Sequence, residues 1–311
     1  MKNPSFKRKA KDSSIKVKQL PVVKGFKVDK NMKAIELLEH YKTIGFQASN
    51  IGKAAEIIRK IKKEKAELYL ACTSNMVSSG LREVIAQLVE KRLVAAIITT
   101  TGAIEEDFIK SMNNFYLGSF NVDDELVKSN KLNRLGNIFV PDKNYCDFED
   151  CHMKFIDRIV KQNNIISPSD YIKKMGLELN DKNSVLYWAS RNNIPIFCPG
   201  FVDGAMGDHF YFYNQNKSKK LVIDTVADVT KFYNMILQPE KTAGIILGGG
   251  IAKHHLIGAA IIRDGLDYAI YIQTGTEYDG SLSGAKPKEA VSWNKLKHEE
   301  NSVCIEADAT I

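Results

Sequence analysis

Apolar residues recur along the chain at two spacings. Over Asn31–Lys42 and Gly52–Ala66 they fall three and four apart, the interval that lines one face of an α-helix. Elsewhere they gather into short unbroken runs: Leu68–Cys72, Leu93–Ile98, Pro195–Cys198, Leu221–Ile223, Ala243–Leu247, Tyr268–Ile272 and Ser302–Glu306. Runs of that length fit strands covered on both faces, and helical stretches separate most of them, one entered at Gly80 and reaching Glu90. The pattern predicts an α/β fold: a doubly wound, mostly parallel sheet with helices on both faces. Segment 113–150 follows neither period and is expected to wrap irregularly around the outside of the sheet. No repeat or low-complexity linker interrupts residues 31–311, so a single domain is expected there, preceded by an arm over residues 1–30.

Charge sets that arm apart. The formal net charge is +7, but residues 1–19 hold seven basic side chains (Lys2, Lys7, Arg8, Lys9, Lys11, Lys16, Lys18) against Asp12, which leaves the rest close to neutral. A flexible arm that solubilises the chain, or docks on an acidic neighbouring surface, fits this distribution. Nucleic-acid binding needs basic and aromatic residues on a folded face, and none is legible. Nor does any apolar run reach the twenty residues of a membrane span, and the charged N-terminus lacks the apolar core of a signal peptide. The five cysteines are an odd number, several in apolar runs, as expected of buried reduced thiols in a cytoplasmic protein. Cys146, Cys151 and His152 lack a further ligand pair to complete a zinc tetrahedron, so no metal is expected.

In doubly wound sheets, ligands bind outside the carboxyl ends of the strands. The small and polar residues of this chain concentrate there, at Thr73–Gly80, Thr99–Glu106, Gly200–Asp208, Gly248–Gly250, Thr274–Gly284 and Ala307–Asp308. Gly248-Gly249-Gly250 lets a phosphate or ribose approach the backbone beside a helix N-terminus, though the GxGxxG pattern is absent and glycines also make plain tight turns. Glu105, Glu106, Asp203, Asp208, Asp279, Glu289 and Asp308 recur at the same edge. Such carboxylates suit ribose hydroxyls or a cationic ligand, and some serve equally as helix caps. His254, just past the glycines, is a candidate proton relay or a structural histidine. Lys295 stands beside Trp293, and an apolar, partly dry wall is one way to make a lysine amine nucleophilic.

With these residues assembled, the chain resembles deoxyhypusine synthase. The matching motifs are Gly45–Asn50, Thr73–Gly80, Thr99–Asp107, Asn144-Tyr145-Cys146 with Phe148-Glu149-Asp150, Asp203–Asp208, Gly248–His255, Tyr278-Asp279-Gly280 and Glu289–Lys295, in family order over residues 30–310. The resemblance implies NAD-dependent transfer of the aminobutyl group of spermidine to one lysine of the hypusine-bearing translation factor, through an imine on Lys295, with release of 1,3-diaminopropane. It implies that Ser74, Asn75, Ser78, Thr100, Thr101, Gly102, Glu106, Asp203, Gly249, Thr274, Asp279, Asp308 and Ala309 line the NAD site. Glu105, Asp208, His254, Glu289 and Trp293 would hold the polyamine, His254 would move protons and Lys295 would be the nucleophile. It also implies a homotetramer with active sites between paired subunits and an N-terminal segment over a neighbour's entrance.

The chain departs from the family pattern at three places. Leu282 stands where the eukaryotic enzymes have an aspartate that binds the polyamine amine. Asn294 replaces the usual glycine beside the nucleophile and is expected to restrict that turn. The family continues past Asp308 with a helix, so some apolar sheet surface is expected to need a partner here. These differences keep two alternatives open: a homospermidine synthase-like transferase with putrescine as acceptor, and an inactive NAD-binding partner subunit.

Overall fold

The computed structural model describes residues 20–311, so the basic cluster expected of the arm at residues 1–19 lies outside the described residues. The chain divides into two compact units, with the boundary at Ala55/Glu56. The described part of the first holds helix Ala34–Tyr41 and the start of helix Phe46–Lys63.

The second unit is built on six strands: β1 (Glu67–Cys72), β2 (Ala96–Ile98), β3 (Ile196–Phe197), β4 (Thr242–Leu247), β5 (Tyr268–Gln273) and β6 (Ser302–Glu306). They form one sheet in the order β6-β5-β4-β1-β2-β3, with every neighbouring pair parallel. Two cores explain why these strands read as unbroken apolar runs. Successive side chains of a strand point to opposite faces. In β1, Leu70 and Cys72 join a cluster with Ile97, Phe148, Tyr171 and Met206. Tyr69 and Ala71 join another with Ile98, Phe232, Leu256 and Tyr271. Helices cover both faces, so an alternating pattern would leave polar groups dry.

The strand order runs outward in both directions from β1 and β4, which makes the crevice above this pair the topological switch point. All six strands being parallel, the loops that follow them share one edge.

Three expectations need correction. Segment 113–150 is not irregular: Tyr116–Leu117, Leu132–Leu135 and Ile138–Pro141 pair antiparallel, and the 21-residue helix Asp142–Gln162 begins within it. That helix buries Asn144, Phe148, His152, Phe155, Ile156 and Ile159, and the two polar members broke its apolar stripe. The run Leu221–Ile223 forms only Val222–Ile223, paired with Ile165–Ile166 apart from the main sheet. Of the cysteines, Cys72 and Cys198 are buried, whereas Cys146 and Cys151 are exposed on helix Asp142–Gln162, about 140° apart at about 100° per residue. His152 turns inward, between the ring of His209 (2.9 Å) and the hydroxyl of Tyr171 (2.7 Å). No described helix is long and apolar enough to cross a membrane.

Candidate active site

The loops at the carboxyl edge are locked together by close backbone approach. A Cβ added to Gly102, at the start of helix Thr101–Lys110, would lie 2.9 Å from the Ser74 Cβ. One added to Gly248 would meet Thr73 Oγ1 at 2.8 Å, and one on Gly249 would meet the Ser283 backbone at 2.6 Å. The loops after β1, β2, β4 and β5 therefore form one continuous rim, which only glycine permits at Gly102 and Gly249. Gly248 adds a positive φ of 87°. Thr101 ties this rim to the end of β3 by donating to the Gly200 carbonyl (2.8 Å).

Two adjacent carboxylates are buried beneath it. Glu105 accepts from the Met206 N–H (3.1 Å) at the start of helix Ala205–Asn216, where backbone donors have no partner within the helix. Gly204 leaves room for it, since a Cβ there would sit 3.0 Å from a Glu105 oxygen. Glu106 accepts from the Ser78 hydroxyl. Burial pushes Glu105 up to about 7 against its helix hydrogen bonds, and Asp208 and Asp203 add to the rise. Burial likewise pushes Glu106 up to about 7, opposed by the Ser78 bond and aided by Glu105.

Around this rim, Asn75 is exposed beside Ser74, and Thr100 caps the helix start without a side-chain hydrogen bond. Thr274 and Asp279 follow β5 on an exposed loop, where Asp279 accepts from the Ser281 N–H (2.7 Å). Asp308 follows β6 and accepts from both the N–H and the hydroxyl of Thr310 (2.8 Å each). Ala309 packs against the first core cluster.

Lys295 belongs to a second group of residues. Its N–H donates to Ala290 (2.8 Å) and its carbonyl accepts from Leu266 (3.1 Å), which fastens the backbone near the amino end of β5. The turn into it puts Asn294 at φ 53°, the left-handed region. Asparagine tolerates that region better than most residues, so it fills a glycine-like position rather than restricting the turn. Lys295 is buried, at 8% exposure, with Nζ 5.3 Å from the centroid of the Trp293 ring. A cavity of about 10 Å³, room for about one water, lies beside it, lined by Lys253, Ile257, Tyr271, Leu282, Ala285, Lys286, Glu289, Ala290, Trp293 and Lys295.

Among the sequence candidates, this cavity gathers Lys295, Glu289 and Trp293. Glu105 and Asp208 stand with Asp203 at the rim instead, and His254 is exposed on helix Gly250–Ala259 outside the cavity wall. The residue that helix sends inward is Lys253, fully buried, which donates to Gln273 Oε1 (2.9 Å) and to the Ala285 carbonyl (2.7 Å). Its ammonium lies 4.6 Å from the Tyr271 ring centroid, and burial pushes it down to about 8. Sequence reasoning passed it over for His254, although the buried stripe Ala252, Lys253, Leu256, Ile257 has helical spacing and excludes position 254.

Comparison with known proteins gives the chain its relatives. The family model for deoxyhypusine synthase matches residues 36–311. The probable deoxyhypusine synthase of Thermococcus gammatolerans is 44% identical over 292 residues, covering 89% of this chain and 87% of its own. The deoxyhypusine synthase of Saccharomyces cerevisiae is 39% identical over 324 residues, covering 90% of this chain and 84% of its own. A crystallised protein of Entamoeba histolytica, assigned to the same enzyme, superposes with a TM-score of 0.66 at 29% identity, over 93% of each chain.

Proposed function

We propose that this chain, which belongs to the deoxyhypusine synthase family, transfers the aminobutyl group of spermidine to one lysine of the hypusine-bearing translation factor with NAD as cofactor. The observation that carries this reading is the buried Lys295, fastened by its own backbone in a largely apolar cavity with Trp293 and Glu289.

The rim fits a dinucleotide. It lies at the switch point of the sheet, its glycines leave room for close backbone approach, and two ten-residue helices, Thr101–Lys110 and Gly250–Ala259, begin on it. Ser74, Asn75, Ser78, Thr100, Thr101, Gly102, Glu106, Asp203, Gly249, Thr274, Asp279, Asp308 and Ala309 would hold NAD. When bound, the cofactor supplies hydride acceptance and return.

Lys295 does the covalent work. Its neutral amine attacks the electrophilic carbon of the oxidised donor, 1,3-diaminopropane leaves, and the butylamine fragment stays on Nζ as an imine. The amine of the protein-substrate lysine then attacks that carbon and frees Lys295. Trp293 packs on the methylenes, Glu289 pairs with a cationic end, and Glu105 and Asp208 add negative charge on the substrate's path. His254, open to solvent, exchanges protons with water.

None of the rim residues assigned to NAD lines the Lys295 cavity. From the family resemblance we carry over a homotetramer with active sites between paired subunits, working in the cytoplasm. Leu282, an apolar wall of the cavity, favours one second reading, in which putrescine is the acceptor.

The test is product analysis by mass spectrometry with NAD, spermidine and the translation factor, putrescine in a parallel tube and Lys295→Ala as control. An aminobutyl adduct on the factor, absent with Lys295→Ala, is expected. Homospermidine without a protein adduct would move the assignment to the second reading, and no product in either tube would overturn both.

A further inference from the structure

Two histidines lie buried where nothing in the transfer chemistry uses them. His152 is on helix Asp142–Gln162, and His209 follows Asp208 on helix Ala205–Asn216. The Phe148 ring stacks on His152 with centroids 5.1 Å apart, and Phe155 and Phe210 close the cluster. Apolar side chains would fill this space without the cost of desolvating two imidazoles. What the imidazoles add is a directed hydrogen-bond chain.

The direction follows from its buried end. The Tyr171 hydroxyl, on helix Pro168–Glu178, has His152 Nε2 (2.7 Å) as its one partner among the described residues, so it donates there. His152 then carries its proton on Nδ1 and donates it to His209 Nδ1 (2.9 Å), which leaves the His209 proton on Nε2. Burial holds both imidazoles below the ordinary histidine value of 6.5; His209 lowers His152 further, while Glu149 and Asp208 oppose the fall at His209. Both rings are therefore neutral at pH 7, and the chain that joins the three helices is complete.

We propose that His152 is a positioning residue for the carboxylates Glu105 and Asp208: through His209 it fixes the start of helix Ala205–Asn216. The proposal rests on the aminobutyl-transfer reading, in which those two carboxylates draw the polyamine. That helix begins without a capping side chain, at Gly204, and its third residue is Gly207, where a Cβ would lie 2.1 Å from the Val202 carbonyl oxygen. Its own first turn offers little to set its direction. Met206, whose N–H holds Glu105, lies three residues before His209 on the same buried face, and Asp208 is its immediate neighbour. A turn released from His152 would shift both carboxylates. Neither histidine lines the Lys295 cavity, and Glu106 is held by Ser78 from another helix, so the covalent step and the cofactor rim would stay in place.

The test compares His209→Leu, His209→Asn and His152→Phe with wild type in the full chain. It reads kcat, KM for spermidine, KM for NAD and the melting temperature. Asparagine places Oδ1 where Nδ1 of His209 stands and still accepts from His152. Leucine does not, and His152→Phe keeps the ring stack but offers no donor. A three- to tenfold rise in KM for spermidine, about the worth of one hydrogen bond, is expected in His209→Leu and His152→Phe. In both, kcat and KM for NAD should stay within about twofold of wild type, and His209→Asn should behave as wild type. A wild-type KM for spermidine in His209→Leu and His152→Phe would overturn the proposal. So would His209→Asn as impaired as His209→Leu, or a kcat that falls in step with the melting temperature, since either marks a purely structural role. Wild-type chain that transfers nothing from spermidine would overturn the transfer reading and the proposal together, whereas active wild type with equally active variants faults the proposal alone.

Discussion

Lys295 and Lys253 share one cavity but are constrained differently. Lys253 spends its ammonium on Gln273 and Ala285, so it latches the loop after β5 to the helix that starts at the triple glycine. Lys295 is held by its backbone, and its ammonium meets only the Trp293 ring among the contacts described. The covalent role proposed for Lys295 needs that freedom. Asn294 sets the turn that presents it, at φ 53°. Asn294→Gly is expected to preserve stability and transfer, while Asn294→Val should cost about 1–2 kcal/mol; thermal unfolding of both variants checks this, and equal stabilities would contradict it. At this scale residue types were legible and orientations were not. Lys295, Trp293 and Glu289 were readable as chemistry from their spacing in sequence. Whether Lys253 or His254 faced inward required the phase of a helix whose apolar residues surround it on most sides.

Elements explain the paired carboxylates. Helix Thr101–Lys110 buries Glu105 and Glu106 in succession, one at the start of helix Ala205–Asn216 and the other against Ser78. Both are pushed up to about 7 from the usual 4.5, so between those values the folded chain binds more protons than the unfolded one. The stability they confer is complete below about 4.5 and is lost as pH rises through about 7. The melting temperature should therefore fall from about pH 6 to about pH 8, and fall less in Glu106→Gln; parallel pH profiles for the two proteins would contradict this. β1, β4, β5 and β6 were legible to within a residue, because burial on both faces writes a continuous apolar run. Helix Asp142–Gln162 was hidden because its buried face carries Asn144 and His152, which are paid for by hydrogen bonds that sequence does not display.

At the scale of the whole molecule, the parallel sheet collects the loops after its strands into one glycine-lined rim, while Lys295 is anchored from the amino end of β5. The α/β class and the rim residues could be read from the order of runs and turns. That Lys295 reaches the loop after β5 from the amino end of that strand could not, since sequence order says nothing of which edge a returning segment reaches. The covalent role of Lys295 is the central claim, and two other lysines in the same cavity make it specific. Reductive trapping during turnover with NAD and spermidine, followed by peptide mapping, tests it most directly. The butylamine adduct should be found on Lys295 and vanish in Lys295→Ala; an adduct on Lys253 or Lys286 that survives this substitution would contradict it.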